Sequence, residues 1–156
     1  MTAFPMANRT SPDPTPCAGD AVFWLASTSL AVRSALLHIF DHPVMARLSP
    51  DARGCAELVL AEALNNIVKH AYKCQNGTIE LRLHHSVGTL GCDIYDAGAP
   101  MPGGQLPAGL PQAIGADQDL PEGGFGWFLI RTMTEDLCYT RSDARNHLSF
   151  RLNLKQ

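Results

Sequence analysis

AELVLAEALNNIVKHAY, residues 56–72, carries two stripes at once. At about 100° per residue, Leu60, Leu64, Ile67 and Ala71 share one face, the core side of a helix. Glu62, Asn66 and Lys69 fall on the opposite side, within roughly one 60° sector. A carboxylate, a neutral oxygen ligand and a cation thus line up at i, i+4 and i+7. A solvated face fits the same spacing. Asparagine is a poor helix former, however, and Asn65-Asn66 stands mid-helix. A Mg²⁺ ion that bridges phosphates keeps several waters and needs few protein oxygens, so one amide suits it. Glu62, one turn away, is placed to accept a hydroxyl proton.

Ser49-Pro50 suits the opening of this helix, an N-cap followed by a first-turn proline. Asn76-Gly77 breaks it after about Lys73. Upstream, Ala21 to Ser27 has strand length, and Val32, Leu36, Ile39 and Phe40 mark a first helix that ends near Pro43. Residues 1–20 read as a flexible arm, and 21–156 as one domain. Downstream, Ile79, Leu81 and Leu83 alternate with Glu80, Arg82 and His84. Leu90, Cys92 and Ile94 repeat the pattern after a turn at Val87-Gly88, which predicts a hairpin. Gly98 to Gly126 holds eight of the thirteen glycines and five of the eleven prolines, a composition that suits a lid or binding loop. A helix over about Gly124–Thr134 and strands near Leu137–Arg141 and His147–Leu154 complete the chain. The order β-α-α-β-β-lid-α-β-β lacks a βαβαβ rhythm. It predicts an α+β two-layer sandwich with helices on one face of a mixed sheet.

Composition removes several function classes. With 156 residues, 46% hydrophobic and 17% charged, the chain suits one soluble globular domain. A net charge of −3 gives no electrostatic case for nucleic acid or an anionic membrane. The five cysteines are scattered, with no C-x-x-C pair, so neither a disulfide framework nor a zinc site is expected. No apolar run approaches ~18 residues, and the proline-bearing start does not read as a signal peptide. A cytoplasmic protein is expected.

Two further segments carry chemistry. Asp96-Ala97-Gly98-Ala99-Pro100 sits where the second hairpin strand ends. A carboxylate there can accept from an exocyclic amine such as the adenine N6 group, and Gly98 lets the backbone approach a flat ring. A polar D-x-G turn is an equally ordinary reading. Glu122-Gly123-Gly124-Phe125-Gly126-Trp127 opens a helix, where free N–H groups without Cβ atoms nearby form a phosphate site. A plain hinge has the same composition. It is neither a dinucleotide fingerprint, since Leu129 replaces the third glycine, nor a P-loop, since no G-K-[ST] occurs.

In their order, E-A-L-N-N-I-V-K-H-A-Y, D-A-G-A-P and G-G-F-G-W-F-L-I resemble the N, G1 and G2 boxes of the GHKL ATP-binding superfamily. The E-x-x-x-N…H-A-Y form looks most like the anti-sigma-factor serine kinases, the partner-switching RsbW, SpoIIAB and BtrW group. The resemblance covers about residues 21–154. It implies a Bergerat ATP fold, a homodimer in the bacterial cytoplasm, and two protein clients. One is a sigma factor held inactive; the other is a STAS-type anti-anti-sigma protein phosphorylated on serine. By matching positions, Glu62 falls on the catalytic base and Asn66 on the Mg²⁺ ligand. Asp96 falls on the adenine-reading aspartate with Gly98 beside it, and Gly124 and Gly126 on the phosphate-facing glycines after the lid. The lid, about Ala99 to Glu122, is expected to order when ATP binds. Glu62 separates the chain from sensor histidine kinases, which usually carry Asn there; a serine hydroxyl benefits from a carboxylate base.

One departure concerns positive charge. Relatives are expected to place a basic residue just before the second glycine box, yet no Lys or Arg lies between Arg82 and Arg131. Phosphoryl transfer needs positive charge near the equatorial oxygens. Lys69, on the stripe with Glu62 and Asn66, is the candidate to supply it; a solvent-facing helix lysine is the plainer reading. The missing lid cation also keeps open a nucleotide-dependent sequestering protein with weak or no transfer.

Overall fold

The computed structural model describes residues 19–109 and 125–155. Most of the expected arm, the later part of the expected lid, and Gly124 lie outside the described residues. The elements keep the expected order: β1 (Ala21–Ala26), α1 (Ser29–Asp41), α2 (Pro50–Asn66), β2 (Thr78–Ser86), β3 (Thr89–Asp96), α3 (Phe125–Met133), β4 (Glu135–Ser142) and β5 (Arg145–Asn153). Local chemistry sets the helix starts. Thr28 accepts from the Ala31 amide at 3.1 Å, and Ser49 from the Ala52 amide at 3.2 Å with Pro50 next in line. Each side chain satisfies a first-turn donor that has no partner inside its helix.

The five strands form one sheet in the order β1-β2-β3-β5-β4. All four pairings are antiparallel, which corrects the expectation of a mixed sheet. The reason is topological. β2-β3 and β4-β5 are hairpins, the connection through α1 and α2 returns β2 antiparallel to β1, and the connection through α3 brings β4 in parallel to β3 but on the far side of β5, so that those two strands do not pair. The α+β two-layer architecture stands: α1, α2 and α3 cover one face of the sheet. Leu25, Ile79, Leu81, Leu83, Leu90, Ile94, Leu148, Phe150 and Leu152 point from the sheet into the core. Val32, Ile39, Val59, Leu60, Leu64 and Ile130 meet them from the helices. The other face of the sheet is uncovered by helices. There Glu80 is buried beneath Arg82 and Arg145, and Tyr95 stacks on His147 with centroids 4.3 Å apart. Among the described residues no helix is long and apolar enough to cross a membrane.

The long helix does not keep one pitch. After Asn66 it widens into a π turn over Ile67–Ala71, closed by the Tyr72 amide donating to the Ile67 carbonyl at 3.0 Å. Such turns insert one residue and re-aim the side chains beyond them. Tyr72 then fastens the helix end to the sheet. Its hydroxyl donates to the Thr78 carbonyl at 2.7 Å and accepts from the Ala97 amide at 3.0 Å. Gly77 must lack a side chain here, because a Cβ would lie 2.0 Å from the Tyr72 ring. Tyr72→Phe removes both hydroxyl bonds, and about 1–2 kcal/mol of stability should go with them. A urea unfolding midpoint equal to that of the parent chain would contradict this account of the helix end.

Candidate functional site

A cavity of about 550 Å³ opens between the C-terminal half of the long helix, the loop after β3, and α3. Its size suits a small organic ligand. Ala63, Ile67, Trp127 and Leu148 give it apolar walls, and Asn66, Asp96 and Asn146 supply polar groups.

At one end Asn66 lines the cavity, with Glu62 and Gly126 close to it but outside the lining. A Cβ on Gly126 would lie 2.4 Å from Glu62 Oε2 and 3.7 Å from Asn66 Nδ2. Glycine is therefore what lets the Glu62 carboxylate sit against the first turn of α3. That is the positive end of the helix, where unpaired N–H groups favour an anion. Asn66 is the last residue before the π turn, and its Nδ2 is buried with no hydrogen-bond partner among the described residues. A buried amide left unpaired costs free energy, so the position is one that a ligand would relieve. No protein bond fixes which end of this amide faces the cavity. Asn66 can thus offer its oxygen to a cation.

Lys69 is placed differently. It is exposed on the π turn and is not among the residues lining the cavity. His70 and Lys73, further round the widened turn, do line it. Lys73 takes a left-handed backbone with φ of 50°, as does Cys74 after it at 60°. Neither His70 nor Lys73 was singled out in the sequence, although at about 100° per residue Lys73 falls inside the same sector as Glu62, Asn66 and Lys69.

Asp96 closes the other end. It is 5% exposed at the last position of β3. Its Oδ1 accepts from the Gly98 amide and from Asn146 Nδ2, each at 2.8 Å. Both bonds fall on one oxygen, which leaves Oδ2 for a donor in the cavity. Burial pushes the Asp96 carboxyl above its usual range; the bonds from Asn146 and Gly98 and the charge of Arg141 pull the other way and only partly offset it. Gly98 serves a close approach, and the partner is the long helix. A Cβ at Gly98 would lie 2.7 Å from the Ala71 carbonyl, the group that accepts from the Ala99 amide, also at 2.7 Å. The lid begins from this anchored loop. The Met101 amide donates to the Tyr139 hydroxyl at 3.0 Å, and Arg131 Nε donates to the Pro107 carbonyl at 2.8 Å.

Asn146 is the polar residue of the cavity that the sequence reading missed. It sits in register with Asp96 across β3 and β5 and is 3% exposed. Its signal was present in the alternation of β5: Asn146 shares the inward phase of Leu148, Phe150 and Leu152. A polar residue in a core register asks for a buried partner.

Known proteins identify the family. Residues 25–152 match the histidine kinase-like ATPase domain family. The chain belongs to that family, and so to the GHKL superfamily whose boxes its motifs resemble. Within it, the chain is 33% identical over 134 residues to the serine/threonine-protein kinase BtrW of Bordetella bronchiseptica, covering 85% of this chain and 82% of that protein. The fold also matches the blue-light activated histidine kinase of Erythrobacter litoralis EL346, with a TM-score of 0.53 and 21% identity. That match covers 79% of this chain but only 39% of the longer kinase, and it speaks to the fold alone. Membership of this family implies that the chain binds ATP.

Asp96→Asn separates folding from binding. Because the folded carboxyl titrates above its ordinary value, the stability tied to its protonated form is present at low pH and lost as pH rises through the raised value. An asparagine keeps an acceptor at Oδ1 and removes that loss, but turns an NH₂ toward the cavity. At pH 7 the ligand-free variant should melt no lower than the parent chain, while the increase in melting temperature given by ATP disappears. Thermal melts with and without ATP check both halves; an ATP shift that survives the substitution counts against the role of Asp96.

Proposed function

We propose that this chain is an ATP- and Mg²⁺-dependent serine kinase that phosphorylates a STAS-type anti-anti-sigma protein, and that it also holds a sigma factor inactive. The observation that carries the reading is the convergence of Glu62 and Asn66 on Gly126, with Asn66 and Asp96 lining one cavity. The likeness to a protein named as a serine/threonine kinase supports the choice of a hydroxyl acceptor. The bacterial cytoplasm and a homodimer complete the proposal.

The chemistry comes from where the groups stand. Asp96 Oδ2 accepts from the exocyclic amine of adenine. The open first turn of α3 at Gly126 presents N–H donors to phosphate oxygens. Asn66 holds Mg²⁺ through its amide oxygen; the ion, when bound, supplies charge neutralisation on the phosphates. Glu62 takes the proton of the incoming serine hydroxyl as its oxygen bonds to the γ-phosphorus and ADP leaves. Gly124 is assigned to the phosphates beside Gly126.

A second reading is a nucleotide-dependent sequestering protein with weak or no transfer. One observation favours it: no Lys or Arg lies between Arg82 and Arg131, and Lys69 stands outside the cavity lining. Transfer from labelled ATP to the cognate STAS protein distinguishes the two. Under the kinase reading, Glu62→Gln lowers the transfer rate by about 10²–10⁴-fold and leaves ATP binding in place. Lys69→Ala at saturating ATP tests whether Lys69 is the γ-phosphate cation; an unchanged rate removes it from that role. Absence of transfer by the parent chain, with ATP binding intact, establishes the sequestering reading.

A further inference from the structure

Asn146 has a fixed direction. Its Oδ1 accepts from the Tyr139 hydroxyl at 2.7 Å and from Arg141 Nη1 at 2.6 Å. Arg141 has only donors to give, so the amide cannot turn its NH₂ toward that side. The Tyr139 oxygen already accepts from the Met101 amide, which commits the hydroxyl proton to Asn146. Nδ2 is thereby driven toward Asp96 Oδ1 at 2.8 Å and the Ala99 carbonyl at 3.0 Å. The relay from Met101 through Tyr139 and Asn146 ends in a hydrogen donated to Asp96, and with the Gly98 amide two donors occupy Oδ1. A proton on that oxygen has no place.

We propose that Asn146 is a positioning residue that holds Asp96 as an acceptor toward the cavity and so sets the base preference of the pocket, favouring a 6-amino over a 6-oxo purine. The inference rests on the ATP reading and names what enforces its base specificity. An exocyclic amine finds Oδ2 as its acceptor. An exocyclic oxygen at the same place faces another acceptor, and is accommodated only by a protonated Asp96. Donation from Asn146 and the charge of Arg141 oppose that protonation. A site built to pair one polar group rejects an analogue that leaves it unpaired.

The test uses the full chain and two probes, ATP and ITP, with binding read by titration calorimetry between pH 6 and pH 8.5. Asn146→Leu removes the donor at similar size, and the ATP-over-ITP ratio should fall by about tenfold or more. Asn146→Asp gives a sharper signature. Below the upper titration of the facing pair, one shared proton replaces the amide donor. Above it, two carboxylates repel each other. ATP affinity of that variant should therefore stay near the parent value at pH 6 and fall about tenfold or more by pH 8.5, a slope the parent chain lacks. The other charged or titratable groups around Asp96 include Arg141 and Tyr139 on β4, His70 and Lys73 across the cavity, and Glu80, Tyr95, Asp143 and Arg145 around a second hollow that Asp96 also lines; they are common to all variants. If Asn146→Leu does not fold, the pH slope of Asn146→Asp decides alone. A flat profile for Asn146→Asp, or full discrimination retained by Asn146→Leu, overturns the proposal. Failure of the parent chain itself to bind ATP overturns the nucleotide reading and this inference with it.

Discussion

A carboxylate that is 5% exposed must be given donors, and much of this structure is arranged to give them to Asp96. β5 lies beside β3 in a register that sets Asn146 against it. β4 brings Tyr139 and Arg141 to orient that asparagine. The loop after β3 folds back so that the Gly98 amide reaches the same oxygen, and it can do so only by lying against the bare backbone of Ala71. One buried charge thus couples three strands and the end of the long helix. The cavity is the space left between those tied pieces and α3.

The opposite end of the cavity obeys another logic. Glu62 and Asn66 are one turn apart on a well-formed helix, so their relation to each other comes from α pitch alone. Their relation to α3 depends on an absence, the missing Cβ of Gly126. The two ends differ in character as a result. Around Asp96 the polar groups are satisfied within the protein apart from the oxygen that faces the cavity. Around Asn66 an amide nitrogen has no protein partner among the described residues. The first end is rigid before any ligand arrives; the second is completed by one.

What the sequence revealed depended on the range of the interaction. Glu62 and Asn66 were legible because helical spacing is a local property, and Asp96 because it closes an alternating run. The helix start at Ser49 and the hairpin turn at Val87-Gly88 belong to the same class. Strand direction was not legible, since pairing between β1 and β2 or β3 and β5 joins distant segments, and the sheet proved wholly antiparallel. Asn146 was overlooked for that reason too: its partner lies 50 residues away. Lys69 was projected onto the polar stripe by a constant 100° step, a rule that lapses at Ile67, where the helix changes pitch. No single-residue signal marks that change. That His70 and Lys73, both exposed, line the cavity had to be read from the structure.

The widened turn also makes chain length itself a constraint. Each residue removed from a helix rotates the downstream side chains by about 100°. Shortening Ile67–Ala71 by one would restore ordinary pitch and swing Tyr72 more than a quarter turn from Thr78 and Ala97. Evolution along this segment must keep the count of residues as well as the buried Ile67 and Val68. An insertion or deletion there would unlatch the helix from the sheet even if every catalytic atom were kept.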